Sequence, residues 1–327
     1  MAGVRARRRL GYVVATILVI VPLVACQAPP ATPSPALPTT APTTAAPPTT
    51  GASLEPGATA SAGAAITLIA AGDIARCDLD GDEQTAALVK SLSGTVLTLG
   101  DSAYDRGSPK EFAECYDPSW GQFLERTWAV PGNHEHDTPD AAGYFGYYGD
   151  RAGPAGRGWY ALRLGDWHVI TLDSECRPAG GCEAGSEQVE WLVAELADRP
   201  SACTIVAFHK PRFSSGERGD ERSVEPLWRL AVAAGVDVIL NGHEHSYERL
   251  GPMDADGRPD AAGVTVFIVG TGGAPLRGFP SIEPASQVRI DDHHGVLELQ
   301  LGDGSFDWAF RSAPDGSVRD EGSGACR

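Results

Sequence analysis

Five apolar segments of this 327-residue chain each run straight into a short cluster of Asp, Asn or His. The clusters are Ala71-Gly72-Asp73, Gly100-Asp101-Ser102-Ala103-Tyr104, Gly132-Asn133-His134-Glu135, Phe208-His209-Lys210-Pro211 and Gly242-His243-Glu244-His245. Ligands of α/β sheets bind at the carboxyl ends of strands, so five such ends point to one site assembled from five loops. Four of the clusters place Gly just before the polar residue, which permits a sharp turn and a close backbone approach. The segments leading into them, residues 66–71, 95–99, 127–130, 204–208 and 236–240, read as strands, as do 159–164, 168–172, 264–269 and 296–301. The early ones are continuous apolar runs, the pattern of strands buried on both faces. Helical spacing separates several of them: at 82–91, at 186–197 with Val189, Leu192, Val193 and Leu196 on one face, and at 221–234 before Gly235. This alternation gives an α/β class with helical layers outside mixed sheets.

Taken singly, the clusters have plain structural readings: Gly-Asp after a strand is an ordinary turn, and His-Lys-Pro an ordinary surface segment. His243-Glu244-His245 is more pointed, because alternate residues of an extended segment project to one side, as two metal-binding imidazoles would. All five clusters in this order resemble the calcineurin-like metallophosphoesterases, and more closely the purple acid phosphatases, over residues 66–311. The wider superfamily has Asp-x-His in the first cluster, where this chain reads Asp73-Ile74-Ala75. Purple acid phosphatases also lack that histidine and supply a tyrosine from Gly-Asp-x-x-Tyr, present here as Gly100-Asp101-Ser102-Ala103-Tyr104. Tyr247-Glu248-Arg249 after His-x-His extends the likeness.

The resemblance implies a four-layer αββα metallophosphoesterase sandwich and two metal ions bridged by Asp101. Asp73, Tyr104 and His245 would hold the first ion, and Asn133, His209 and His243 the second. His134 would sit over the substrate phosphate as the catalytic residue, stabilising the transition state or protonating the leaving alkoxide. These residue types suit the chemistry. Two ions about 3.5–4 Å apart clamp phosphoryl oxygens and acidify a bound water. Phenolate from Tyr104 is a hard anionic donor that favours Fe(III), whereas an amide and two imidazoles suit a divalent ion such as Zn, Mn or Fe. The implied reaction is acid-phosphatase-like hydrolysis of a phosphomonoester by metal-bound hydroxide. An extracellular phosphodiesterase or nucleotidase with the same metals stays open, as does a non-catalytic surface metal-binding module. Glu135, Glu248 and Arg249 are expected to orient ligands, His136 to line the cleft, His168 to be structural, and His293 and His294 to be structural or rim residues. The aromatic run at 144–148 divides between substrate contact and core packing. Larger plant-type members carry an N-terminal β-sandwich domain, whereas the segment before residue 66 here is of another kind.

That segment begins with Arg5, Arg7, Arg8 and Arg9 and a 16-residue apolar run from Leu10 to Ala25, interrupted by Pro22. The run is short of the ~20 residues that span a bilayer and reads as a secretory signal. It ends in Leu23-Val24-Ala25-Cys26, which resembles the bacterial lipoprotein box, so residues 1–26 are expected to be a signal peptide with Cys26 as the lipidation site. Residues 27–65 hold nine Pro, eight Thr and twelve Ala, with no Lys or Arg, and are expected to form a disordered tether. Residues 66–327 would be the catalytic domain. The protein is then an exported surface lipoprotein, or a secreted one, that meets the membrane only through its lipid.

Export fits the cysteines. Besides Cys26 there are six, Cys77, Cys115, Cys176, Cys182, Cys203 and Cys326, enough for three disulfides. Cys176 and Cys182 enclose a short Pro/Gly loop and are the easiest pair, while Cys77 with Cys115 and Cys203 with Cys326 follow only by elimination. Removing the four leader arginines leaves 22 basic against 43 acidic residues, a net charge of -21 in place of -17. Such a surface disfavours nucleic acid and leaves a small phosphate ester as the expected partner, drawn to a cleft that the metals make locally positive.

Overall fold

The computed structural model describes residues 65–154, 156–197 and 203–327. The expected signal peptide with Cys26, and the tether up to residue 64, lie outside the described residues. The strands form two mixed sheets. The first contains β1 (Ile66–Ala71), β2 (Thr95–Leu99), β3 (Thr127–Val130), β11 (Gly295–Leu301), β12 (Ser305–Ser312) and β13 (Val318–Ala325), in the order β13-β12-β11-β1-β2-β3. The second contains β4 (Tyr160–Leu164), β5 (Trp167–Thr171), β6 (Cys203–Ala207), β7 (Val238–Asn241), β8 (Tyr247–Met253), β9 (Val264–Val269) and β10 (Ser286–Ile290), in the order β10-β8-β9-β7-β6-β5-β4. Helices α1 (Gly81–Ser91), α2 (Pro109–Glu111), α3 (Asn133–His136), α4 (Ala142–Tyr148), α5 (Glu187–Ala197) and α6 (Glu225–Ala233) connect them.

Side-chain alternation explains why the sheets stack. In β6, Ile205 and Ala207 enter the core shared with Leu68, Val96 and Leu97 of the first sheet, while Val206 points to the other face. Val169 and Ile170 of β5, and Val238 and Ile239 of β7, divide in the same way. The second face is covered by Val189 and Leu192 of α5 and by Leu227, Trp228 and Ala231 of α6. Helix α1 lays Leu88 and Val89 on the core of the first sheet. Strands buried on both faces and helices outside them give the α/β metallophosphoesterase sandwich expected from the sequence.

The topology also decides which strand ends meet. β1, β2 and β3 run parallel, with Ala71 opposite Thr98 and Leu99 opposite Val130. β5, β6, β7 and β9 run parallel in the second sheet, with Thr171 opposite Ala207 and Ala207 opposite Leu240. Their carboxyl ends converge, and Gly72 N–H donates across the sheets to Val269 O at 2.8 Å.

Several local expectations change. Val193 is 48% exposed, because the buried stripe of α5 is the narrower one through Gln188, Val189 and Leu192. The third helix starts at Glu225 rather than 221, with Pro226 in its first turn. β8, β10, β12 and β13 are additional strands. β13 has apolar side chains only at its two ends, so pairing with β12, not its own periodicity, makes it a strand. The aromatic run 144–148 is helix α4, and its Tyr144 and Tyr148 are core residues bonded to Ala129 O and Ser102 Oγ. Disulfides join Cys77 to Cys115, Cys176 to Cys182 and Cys203 to Cys326, with Cα separations of 4.7, 5.0 and 5.3 Å.

Candidate metal centre

Each of the five clusters leaves its strand at the common edge, and the backbone turns sharply there. Asp73, Asp101 and His243 all take left-handed conformations, with φ of 59°, 51° and 71°. Such values in non-glycine residues are costly and concentrate at functional sites. The neighbouring glycines serve mainly close approach: a Cβ on Gly100 would lie 2.5 Å from His209 Nδ1, and one on Gly242 would lie 2.8 Å from Asp73 Oδ2. Both positions keep the two sheets within ligand distance of each other.

Asp101 is the hub. Its Oδ2 lies 3.3 Å from Tyr104 Oη and 3.2 Å from His209 Nε2, so one oxygen faces two donor groups. On one side Tyr104 Oη donates to Asp73 Oδ1 at 2.7 Å and lies 3.2 Å from His245 Nε2. On the other, His243 Nδ1 is 3.2 Å from His209 Nε2, and donor atoms of Asp101, His209 and His243 all lie within 4.8 Å of one another. His209 and His245 each donate through Nδ1, to Leu99 O at 2.7 Å and Pro275 O at 2.8 Å. Since a carbonyl only accepts, both rings turn Nε2 inward, the orientation a metal-binding imidazole needs.

Asn133 opens α3, and its Oδ1 is buried without a hydrogen-bond partner. An orphaned buried oxygen is costly, and a cation would satisfy it. His134 follows, with its N–H on Asp101 Oδ1 at 2.9 Å, its Nδ1 held by Asp105 O and its Nε2 3.8 Å from Asp101 Oδ2. Its ring lies 4.5 Å from that of Tyr104 and is partly exposed to the cleft.

The surrounding residues sort differently from the sequence expectation. Glu135 does orient a proposed ligand: its buried carboxylate accepts from Asp101, Ser102 and Gly132 N–H at 2.8, 2.8 and 2.7 Å. Glu248 instead accepts from Ser215 and Ser286, tying the loop after β6 to β10, and Arg249 pairs with Asp320 of β13 at 2.7 Å. Neither has a hydrogen-bond contact with the proposed ligands, because both lie on β8, beyond the turn that carries His245. His168 is buried and paired with Glu195 at 2.8 Å, while His136 donates to Asp173 at 2.8 Å. The strand-end pattern also missed a sixth polar cluster, Asp173-Ser174-Glu175 at the end of β5. The same rule of polar residues after an apolar strand would have found it.

Electrostatics fit a cation here. Burial, reinforced by the Asp73 and Asp101 carboxylates, pushes the Tyr104 phenol well above its ordinary range. His245 holds Asp73 below the usual carboxylate range despite burial, and His209 and His134 do the same for Asp101. Against its own burial, His209 is raised to about 10 by Asp101. Burial and His209 push His243 down to about 3. Buried anionic oxygens, inward-facing imidazoles and an unpartnered amide oxygen form a donor set that a positive charge would complete.

The calcineurin-like phosphoesterase family signature matches residues 66–247 of this chain. A relative called probable purple acid phosphatase 20, from Arabidopsis thaliana, is 31% identical over 226 residues, which is 60% of this chain and 51% of that protein. Another Arabidopsis thaliana protein, called probable inactive purple acid phosphatase 1, is 24% identical over 308 residues, 76% of this chain and 48% of its own length. The chain thus spans about half the length of these curated relatives. A purple acid phosphatase, PPD1, from yellow lupin (Lupinus luteus) seeds shares the fold, with a TM-score of 0.62 at 20% identity over 80% of this chain and 54% of that structure. The signature covers all five strand ends that converge on Asp101, and the chain belongs to the calcineurin-like phosphoesterase family.

Proposed function

We propose that this chain hydrolyses small phosphate monoesters with two metal ions, in the manner of a purple acid phosphatase. The observation that carries the proposal is Asp101 Oδ2, set 3.3 Å from the Tyr104 oxygen and 3.2 Å from His209 Nε2 between two donor groups. Asp73, Tyr104 and His245 would hold Fe(III), and Asn133, His209 and His243 a divalent ion, with Asp101 shared. Bound there, the pair would supply concentrated positive charge and an acidified water to a phosphoryl group. The residues of the chain do the rest. Asp101 fixes the spacing of the two halves, and Glu135 fixes Asp101 through its backbone N–H. His134, anchored at Nδ1 by Asp105 O, keeps Nε2 towards the cleft to hand a proton to the leaving alkoxide.

Metal analysis with a visible spectrum and paired assays tests this. Iron, a charge-transfer band that disappears in Tyr104→Phe, and turnover of p-nitrophenyl phosphate above bis-p-nitrophenyl phosphate are expected. An active, colourless, iron-free enzyme overturns the metal assignment, and preference for the diester overturns the substrate assignment. The protein is further proposed to be exported and held by a lipid on Cys26, which the three disulfides support. Cys26→Ser should then move it from the membrane fraction to the medium. Nucleic acid is not a proposed substrate, given the net charge of -17.

A further inference from the structure

The carboxyl end of β5 lies beside that of β6. Thr171 pairs with Ala207, so Asp173-Ser174-Glu175 and His209-Lys210 leave the sheet side by side. The two segments are fastened together: Lys210 N–H donates to Ser174 Oγ at 3.0 Å, and Lys210 Nζ lies 2.7 Å from Glu175 Oε1. Glu175 is itself held by its N–H on Asp173 Oδ1 at 2.9 Å, and Asp173 by His136. The disulfide between Cys176 and Cys182 closes this loop directly behind Glu175. The Lys210 and Glu175 side chains are only 18% and 14% exposed, so the ion pair is packed in place, not waving in solvent.

We propose that Lys210, steered by Glu175, is a phosphate-binding residue that selects the doubly charged phosphoryl group of a monoester. An ammonium has three N–H donors. Glu175 Oε1 lies 2.7 Å from Nζ as its ion-pair partner, and the N–H donors turned away from that carboxylate are the ones that would meet phosphoryl oxygens. The lysine follows His209 directly, and His209 Nε2 lies 3.2 Å from Asp101 Oδ2 on the side of the centre proposed for the divalent ion. A monoester dianion carries one more negative oxygen than a diester anion, so a fixed cation beside the metals favours it.

This inference rests on the proposed reaction, and its test separates the two. Full-length, metal-loaded Lys210→Met, Lys210→Arg and Lys210→Met/Glu175→Gln are compared with the parent in binding inorganic phosphate by calorimetry and in hydrolysing p-nitrophenyl phosphate and its diester analogue. Loss of one charge-assisted contact should weaken phosphate binding and monoester kcat/KM about tenfold or more in Lys210→Met, with the diester changed less than about twofold. Lys210→Arg should recover most of the loss. The double variant should match Lys210→Met, because the missing cation and not a stranded Glu175 is the cause. Equal losses on both esters, unchanged phosphate affinity, or recovery in the double variant would overturn the role of Lys210. If the parent turns over neither ester, the proposed reaction fails while phosphate binding still decides the lysine.

Discussion

The two halves of the centre solve opposite problems. The β1–β3 half supplies charge, through the Asp73 and Asp101 carboxylates and the Tyr104 phenol, all buried. It aims the carboxylates by backbone conformation, turning left-handed at the ligand itself. The half that follows β6 and β7 supplies imidazoles, and aims two of them by hydrogen bonds from Nδ1 to carbonyls. Neither half is complete alone. His209 is anchored on Leu99 O of the opposite sheet, and Asp73 Oδ2 accepts the His243 N–H at 2.7 Å. A buried carboxylate with no cation nearby is expensive, and His209, raised to about 10 by Asp101, offsets part of that cost.

Asp101→Asn is the hardest blow to this arrangement, because it removes the one oxygen that both proposed ion sites share. Activity should fall on the order of a thousandfold, the scale on which a preorganised charge contact acts in a transition state, and both ions should weaken together. A variant that loses one ion and keeps the other would mean that the two sites bind independently. Proton release is the next measure. With His209 at about 10 and Tyr104 well above its ordinary value, both are protonated in the metal-free chain at pH 8, whereas His243, at about 3, is already neutral. Loading should therefore release about two protons from these ligands, in addition to any from an ionising bound water, with one fewer in Tyr104→Phe, and affinity should rise with pH. Calorimetry in buffers of different ionisation enthalpy reads this directly, and no net release would contradict the division of labour. Glu135→Gln is milder: it keeps the shape but weakens the grip on Asp101 N–H, so metal affinity should drop about 10- to 100-fold. Loss of one ion alone would place Glu135 in a single half.

The two halves were also unequally legible. Each strand end is a short covalent stretch, so residues such as Asp101 to Tyr104 could be placed on one loop from spacing alone. What joins strand ends is tertiary and leaves no local trace. The hydrogen bond from His209 to Leu99 O spans 110 residues, and that from His243 to Asp73 spans 170. Glu248 and Arg249 sit in the motif next to His245, yet the strand carries them away to Ser215 and Asp320. Sequence proximity was misleading there. Conversely, His136 and Asp173 lie 37 residues apart and meet through packing of the β5 end. β13 escaped because an edge strand with few apolar residues borrows its order from its neighbour.

A carboxylate outside the centre gives the smallest and cleanest check. Asp82 in the first turn of α1 is as buried as the ligands, but its side-chain contact is the Ser119 hydroxyl and no imidazole. Burial, reinforced by Glu83, pushes it up to about 7, the direction opposite to Asp73 and Asp101. A folded-state value raised above the ordinary 3.8 means that the native protein holds this proton more tightly than the unfolded chain. Its stability penalty is absent below the ordinary carboxylate range, grows as pH rises towards 7 and is complete above it. Asp82→Asn removes the ionisation and keeps the shape. Its Tm relative to the parent should therefore climb by a few degrees between pH 4.5 and pH 8, while the slopes from Asp73 and Asp101 cancel in the difference. A difference that stays flat with pH would show that Asp82 is ionised at no cost, so that burial alone does not set the sign and the imidazoles of the centre are not what separates its carboxylates from this one.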